Sequence, residues 1–130
     1  MESIIDQSYS PMELLVIDDA SPDGTLQAAE SLRAKCEERF VRTVMLSKEK
    51  ENMAASCNMG IDMAQGKYIY LIASDDAAEP DAIRELVEVL ESRPDHVLAV
   101  GDSSIMDAES RRTGWDAEQK NVPLDKAPFK

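Results

Sequence analysis

The sequence predicts an α/β fold in which a mostly parallel sheet is covered by helices on both faces, giving three layers. First, short apolar runs alternate along the chain with segments of helical periodicity. Second, the runs at 14–17 and 68–72 are apolar throughout, which is typical of strands buried on both faces of a sheet. Third, both runs end in acidic pairs, Asp18–Asp19 and Asp75–Asp76, where open α/β sheets bind ligands.

The first half of the chain is predicted to contain a helix end, a strand, a helix and a second strand. Residues 2–9 resemble the last turns of a helix, which Ser10–Pro11 ends because proline disfavours the α conformation in the residue before it. The strand at 14–17 follows, and turn-forming residues lead into a helix that begins at Thr25. The second strand is predicted over 41–46. The helix that begins at Thr25 has an apolar stripe along one face, formed by Leu26, Ala29, Leu32 and Cys36.

The second half is predicted to continue the alternation and to end in a hairpin and a tail. Gly66 follows the first of its helices, at a position where a left-handed residue is usual. The second helix has the tightest apolar stripe of the chain, formed by Ile83, Leu86, Val87 and Leu90. The predicted elements are a helix over 52–65, the strand at 68–72, a helix opened by Pro80–Asp81 and ended by Pro94, a strand over 97–101 that closes on Asp102, an antiparallel hairpin over 103–114 and an irregular, polar tail over 115–130.

Composition narrows the classes of partner. The 130 residues correspond to one domain, and 14 basic against 26 acidic residues give a net charge of −12. This charge argues against nucleic acid as a partner, because affinity for phosphate backbones comes mainly from Lys and Arg. No apolar stretch approaches the roughly 20 residues of a membrane span, and no basic region followed by an apolar stretch marks a secretory signal. We therefore expect a cytoplasmic protein without a transmembrane segment, with Cys36 and Cys57 reduced and buried in helices.

The two acidic pairs carry the functional prediction. Because both are predicted to end parallel strands, we expect Asp18–Asp19 and Asp75–Asp76 to open onto the same edge of the sheet. Four carboxylates there repel each other unless a cation or a hydrogen-bonding ligand is present. Mg²⁺ and Mn²⁺ prefer such oxygen ligands, and Mg²⁺ typically joins one or two carboxylates to phosphate oxygens. The residues thus indicate a metal-dependent phosphate or nucleotide site, although Asp75–Asp76 alone also fits a solvated loop with a helix N-cap.

Four motifs make the prediction more specific. An S-x-x-x-Q-[ST]-Y segment near the start is followed by D-D-x-S-x-D-G-T, then by N-x-G-I-x-x-A-x-G-x-Y, and then by an acidic motif related to D-x-D. With these motifs in this order, residues 3–114 resemble the nucleotide-binding half of a family 2 glycosyltransferase with the GT-A fold, a Rossmann-like architecture. The matching residues are Ser3, Gln7, Ser8 and Tyr9; Asp18, Asp19, Ser21, Asp23, Gly24 and Thr25; Asn58, Gly60, Ile61, Ala64, Gly66 and Tyr68; and Ser74, Asp75 and Asp76.

The resemblance implies a role for each site residue. Asp18 or Asp19 would bind the base of a nucleotide, Asn58 belongs to the nucleotide-binding set, and Asp75 would lie near the sugar or ribose. Asp76, together with Asp75, would hold Mg²⁺ or Mn²⁺ under the diphosphate, where the metal neutralises charge on the leaving group. The implied reaction transfers a sugar from a nucleotide-sugar, such as a UDP-sugar, to an acceptor with inversion.

The sequence also departs from the family pattern. Ala73 replaces the first acid of the acidic motif, Asn52 stands at a position that is commonly glycine, and Cys57 stands at a position that is often basic. The family's first strand, expected between the strands at 14–17 and 68–72, has no counterpart in the sequence. The region that supplies the catalytic base has none either.

We therefore interpret residues 1–114 as a partial GT-A domain and 115–130 as a tail leading toward an absent acceptor region. The catalytic residue stays unassigned, and the chain alone is expected to transfer little sugar. The gap left by the missing strand would expose unpaired backbone groups. Because strand edges recruit partners, we expect a homo-oligomer.

Two alternatives remain open at this stage. A receiver-like signalling domain would also have an acidic strand end such as LLVIDD at 14–19, but it needs a lysine at the end of a later strand. The last predicted main strand ends in Val100–Gly101–Asp102 and offers none. The other alternative is a non-catalytic remnant that binds nucleotide weakly or serves in assembly.

Overall fold

A computed structural model describes residues 1–109 and 111–115, so the predicted tail lies almost entirely outside the described residues. Within them, helices and strands alternate through the first half of the chain. In chain order, the elements are α1 (Glu2–Ile5), β1 (Glu13–Asp18), α2 (Thr25–Ser31), α3 (Arg33–Arg39), β2 (Arg42–Ser47), α4 (Met53–Met63), α5 (Ala82–Ser92), β3 (Ser104–Met106) and β4 (Arg112–Trp115).

The centre of the fold is a parallel pair of strands. β1 and β2 pair in continuous register from Glu13 opposite Arg42 to Asp18 opposite Ser47. Helices α2 and α3 pack against β2, and α4 packs against β1. This arrangement confirms an α/β fold with parallel strands. Within the described residues, however, this sheet has two strands and is smaller than the sequence predicted.

The buried core is small and lies mainly around α2 and α3. Its apolar members are Ala29, Cys36, Phe40 and Ile83. Cys36 is a buried free thiol, as expected, and burial raises its pKa. Cys57 is also a free thiol but is only half-buried, so the expectation that it is buried is wrong, and α4 has no fully buried residue.

A side chain caps the start of helix α4, and the end of this helix differs from the prediction. Asn52 lies just before the helix and accepts a hydrogen bond from the Ala55 N–H at 3.0 Å, so it acts as an N-cap. The helix ends at Met63, and Gly66 does not adopt the predicted left-handed conformation. The carboxylate of Glu13 accepts hydrogen bonds from the N–H groups of Gln65 and Gly66, and these bonds draw the chain toward the start of β1.

A glycine permits close packing of α4 on the sheet. A Cβ added at Gly60 would lie 3.3 Å from Cδ1 of Ile17 in β1. This distance is tighter than usual for a Cβ contact, so the N-x-G motif at 58–60 has a packing explanation.

The prediction of strands at 68–72 and 97–101 is wrong. Residues 68–72 and 97–101 do not pair with a strand in the described part of the chain. Many of their apolar side chains are exposed, with Leu71 60% and Val97 97% accessible. A strand requires a neighbour that satisfies its N–H and C=O groups. In the described residues β1 pairs only with β2, so the run at 68–72 has no ladder to join.

The predicted hairpin is confirmed. β3 and β4 pair antiparallel, with Ser104 opposite Trp115 and Ile105 opposite Gly114. A register shift between Ile105 and Met106 then brings Met106 opposite Arg112.

The described residues include no helix that is both long enough and apolar enough to cross a bilayer.

Candidate functional site

Asp18 ends β1, and its carboxylate is buried and hydrogen-bonded. Its carboxylate accepts from the Ser21 N–H at 3.2 Å and from the Ser47 hydroxyl at 2.7 Å. Hydrogen bonds from Ser21 and Ser47 lower the pKa of Asp18, against an opposing effect of burial. Asp18 is therefore an ionised acceptor whose orientation is set by the ends of both strands.

Asp19 forms an ion pair that the sequence analysis missed. Its Oδ1 lies 2.5 Å from Nζ of Lys48 and accepts a hydrogen bond from the Glu51 N–H at 3.0 Å. The side chain of Lys48 is only 7% exposed. The bond from Lys48 lowers the pKa of Asp19, and the same contact raises the pKa of Lys48. Since Asp18 lies opposite Ser47, the next residues along both strands, Asp19 and Lys48, are neighbours, and only the structure gives this register.

The remaining residues of the second motif shape the loop before α2. Asp23 Oδ1 accepts hydrogen bonds from the Thr25 N–H at 3.1 Å and from the Thr25 hydroxyl at 2.5 Å. Gly24 has a φ of 78° at the N-cap of α2, a conformation that glycine adopts without strain. The D-G-T triplet therefore has a structural role in starting the helix.

Asp75 and Asp76 lie together in an exposed turn. The Asp76 N–H donates to the carbonyl of Ala73 at 3.2 Å, and neither carboxylate has a hydrogen-bonding or ionic partner within the described residues. Burial raises the pKa of Tyr70, and the negative charge of Asp76 raises it further. The turn thus presents two adjacent carboxylates to solvent.

The same turn borders an open cleft with a volume of about 460 Å³. Of the predicted site residues in the described part of the chain, the cleft brings together Asp75 and Asp76 but includes none of Asp18, Asp19 and Asn58. The residues that line it are Met1, Glu2, Ser3, Leu32, Ser74, Asp75, Asp76, Ala77 and Met106.

The expectation that both acidic pairs end strands of one sheet is wrong. Asp18 ends β1, but the residues before Asp75 are not a strand, because they have no pairing partner. Asn58 is exposed on α4, where its side chain is accessible to solvent. The individual roles of these residues in ligand binding stay predictions.

The donor chemistry of the turn suits a hard divalent cation. Asp75 and Asp76 supply adjacent carboxylates, and Mg²⁺ is usually held by one or two carboxylates plus phosphate oxygens. Among the described residues, no group of three or more His, Cys, Asp or Glu side chains is arranged to hold a metal by itself. The fit of Asp75 and Asp76 therefore depends on oxygens that a ligand would supply.

Comparison with known proteins gives the family. The model of the family described as glycosyl transferase family 2 matches residues 1–128. The chain belongs to this family. The family match decides against a receiver-like domain, the alternative that the strand end at 14–19 had left open.

Relatives within the family span several organisms. An uncharacterized glycosyltransferase from Haemophilus influenzae is 35% identical over 101 residues, which cover 78% of this chain and 30% of the relative. EpsE from Bacillus subtilis is 35% identical over 106 residues, covering 82% of this chain and 37% of EpsE. A glucosyl-dolichyl phosphate glucuronosyltransferase from Haloferax volcanii is 30% identical over 121 residues, covering 92% of this chain and 36% of that enzyme.

The chain spans about a third of the length of these relatives. No solved structure matches it.

Proposed function

We propose that this chain forms the donor-binding part of a glycosyltransferase and binds a nucleoside diphosphate sugar, such as a UDP-sugar, through Mg²⁺ or Mn²⁺. The observation that carries the proposal is the turn at Asp75–Asp76. In a member of this family, the acidic motif presents two carboxylates, without a partner among the described residues, at the border of an open cleft of about 460 Å³.

Asp76 is proposed as the main metal ligand, with Asp75 beside it near the sugar or ribose. When bound, the metal would neutralise charge on the departing nucleoside diphosphate. The chain's own contribution is to hold the two carboxylates adjacent and exposed, so that they bind the cation without first losing a partner from the described part of the chain.

Asp18 or Asp19 is proposed to bind the base, with Asn58 in the same nucleotide-binding set. Asp19 is the more accessible of the two, since its side chain is 27% exposed whereas Asp18 as a residue is 7% exposed. Its ionised carboxylate is already oriented by Lys48 and has further lone pairs to accept a hydrogen bond from a base.

The reaction of the whole protein is proposed to be inverting transfer of the sugar to an acceptor in the cytoplasm. The catalytic base is not assigned to any residue of this chain. A non-catalytic nucleotide-binding or assembly role is the second candidate, and the exposed apolar side chains at 69–72 and 97–100 favour its assembly variant.

Titration calorimetry with UDP, in the presence and absence of Mn²⁺, tests this proposal. We expect Mn²⁺ to strengthen UDP binding by the wild-type chain and Asp76→Asn to abolish that effect while the fold is kept. Asp19→Asn should weaken UDP binding with and without Mn²⁺ alike, because its proposed partner is the base. Asp62→Asn, which alters an exposed carboxylate on α4, is the matched control. A metal effect that survives Asp76→Asn would contradict the proposal.

A further inference from the structure

The residues directly before the acidic turn have no strand pairing within the described part of the chain, although Lys67 and Tyr68 further back bond to Glu91 of α5. Within the described residues, the turn itself has one backbone hydrogen bond, from the Asp76 N–H to the Ala73 carbonyl. Outside the turn, the hydrogen bonds nearest in sequence to Asp75–Asp76 among the described residues belong to the segment that follows, residues 78–83.

That following segment is hydrogen-bonded to the N-terminal residues of the chain. The hydroxyl of Ser3 accepts from the Ala78 N–H at 3.2 Å, two residues after Asp76. The Ser8 N–H donates to the carbonyl of Pro80 at 2.9 Å, and the Ser8 hydroxyl donates to Asp81 Oδ1 at 2.6 Å. The bond from Ser8, together with Arg84, lowers the pKa of Asp81.

Gln7 lies at the centre of this contact and is 4% exposed. Its Nε2 donates to the carbonyl of Glu79 at 2.7 Å and to the carbonyl of Ser3 at 3.0 Å. Its Oε1 accepts from the N–H of Ile83 at 3.1 Å. That N–H lies in the first turn of α5, where backbone donors lack helical partners. Since Asp81 makes no capping bond at this helix, Gln7 satisfies a donor that the helix leaves open.

Arg39 fixes the other side of the N-terminal segment. Its Nε donates to the carbonyl of Ile5 at 3.0 Å, and its Nη2 donates to the carbonyls of Gln7 and Tyr9 at 2.6 and 2.7 Å. Arg39 ends α3, which packs on β2. The sheet, α3, the segment at 5–9 and the segment at 78–83 therefore form one connected set of contacts.

We infer that Gln7 is a positioning residue that holds the Asp75–Asp76 turn at the cleft through its buried hydrogen bonds to Glu79 and Ile83. The inference rests on the proposed function, because it assigns Gln7 a role in metal-dependent binding by that turn. Two of the three backbone partners of the buried Gln7 amide, the Glu79 carbonyl and the Ile83 N–H, belong to the segment at 78–83. Moving that segment would leave buried polar groups unsatisfied, so these two bonds help to fix its position.

The test measures the factor by which Mn²⁺ strengthens UDP binding to the full chain. Gln7→Met keeps the side-chain length but removes all three hydrogen bonds, and we expect it to reduce this factor roughly tenfold. Affinity for UDP without Mn²⁺ should stay unchanged. Gln27→Met, at an exposed position in α2, is the matched control and should leave both values as in the wild type.

A second variant keeps the test decisive if Gln7→Met does not fold. Ser8→Ala removes one exposed hydrogen bond to the same segment, and we expect it to reduce the Mn²⁺ factor about threefold. Ser92→Ala removes a comparable exposed bond at the far end of α5 and should have no effect.

The outcomes separate the inference from the proposed function. An unchanged Mn²⁺ factor in folded Gln7→Met, or in Ser8→Ala if Gln7→Met does not fold, would overturn the inference while leaving the proposed function intact. An equal loss of affinity with and without Mn²⁺ would also overturn it, because this would indicate a general structural role. If Mn²⁺ does not strengthen UDP binding by the wild type, the proposed function fails and the inference fails with it.

Discussion

At the scale of single residues, the two acidic pairs differ in how far their charge is already compensated. Asp18 and Asp19 accept hydrogen bonds from Ser21, Ser47 and Lys48, whereas Asp75 and Asp76 face solvent. The first pair is thus held rigidly by the protein, and the second is available to a cation.

The ion pair between Asp19 and Lys48 predicts a pH dependence of stability. Because the pKa of Asp19 is lowered in the folded state, its stabilising effect is present at neutral pH and is lost as the pH falls through that lowered value. At the alkaline end, the pKa of Lys48 is raised in the folded state, so the stability from this ion pair is lost as the pH rises through that raised pKa.

Urea unfolding of Lys48→Met checks this expectation. The variant should have a lower unfolding midpoint than the wild type at pH 7, and the difference should shrink below the folded-state pKa of Asp19. Lys35→Met, at an exposed position in α3, should show no such pH dependence. A difference of equal size at pH 7 and at pH 2 would contradict the ion-pair account.

At the scale of elements, the sequence predicts the positions of the helices and the first two strands well because their residues carry local signals. The single helix predicted from Thr25 through Cys36 is wrong in one respect, since the structure divides it at Leu32 into α2 and α3. The predicted strand at 14–17 lies within β1, and the strand predicted over 41–46 largely coincides with β2. The run at 68–72 has equally strong strand composition, but this composition indicates a fit to a sheet surface and does not supply a neighbour. Strand formation there depends on long-range pairing, which residue types alone do not reveal.

The candidate site was predictable to a similar degree. Its acidic residues follow from motif and spacing. The hydrogen bond that the Asp18 carboxylate accepts from Ser47, and the bond from Gln7 to Glu79, depend on contacts between distant segments. The pairing of Asp19 with Lys48 required the register of β1 and β2, which the sequence analysis did not specify.

The packing of α4 on β1 gives a prediction at this scale. Alanine favours a helix interior over glycine by about 1 kcal/mol, but a Cβ at position 60 would crowd Cδ1 of Ile17 at 3.3 Å. Gly60→Ala should therefore stabilise the protein more in an Ile17→Val background, which lacks that methyl group, than in the wild type. A double-mutant cycle by urea unfolding measures the difference, and equal effects in both backgrounds would show that the contact does not limit the packing.

At the scale of the whole molecule, exposed apolar side chains predict self-association. Leu71, Val97 and Val100 are 60%, 97% and 79% exposed, and β1 has a strand partner only in β2 within the described residues. Such surfaces and edges favour contact with a second copy. The net charge of −12 on each copy opposes association, so added salt should strengthen it.

Analytical ultracentrifugation at micromolar concentration, in low and high salt, measures this association. We expect a dimer or larger oligomer that Leu71→Lys shifts toward monomer. Val41→Lys alters an exposed apolar residue just before β2 and is the control. A wild-type monomer under all these conditions would contradict the oligomer prediction.

The most direct test of the proposed metal site at Asp75–Asp76 is to locate bound Mn²⁺ in the presence of UDP. Paramagnetic Mn²⁺ broadens the amide signals nearest to it in a ¹⁵N-labelled chain. We predict that, with UDP present, the broadening is strongest for the amide signals of Asp75, Asp76 and their immediate neighbours, and that Asp76→Asn removes it. Broadening that is strongest at another acidic segment, or that persists unchanged in Asp76→Asn, would contradict the assignment of the metal site.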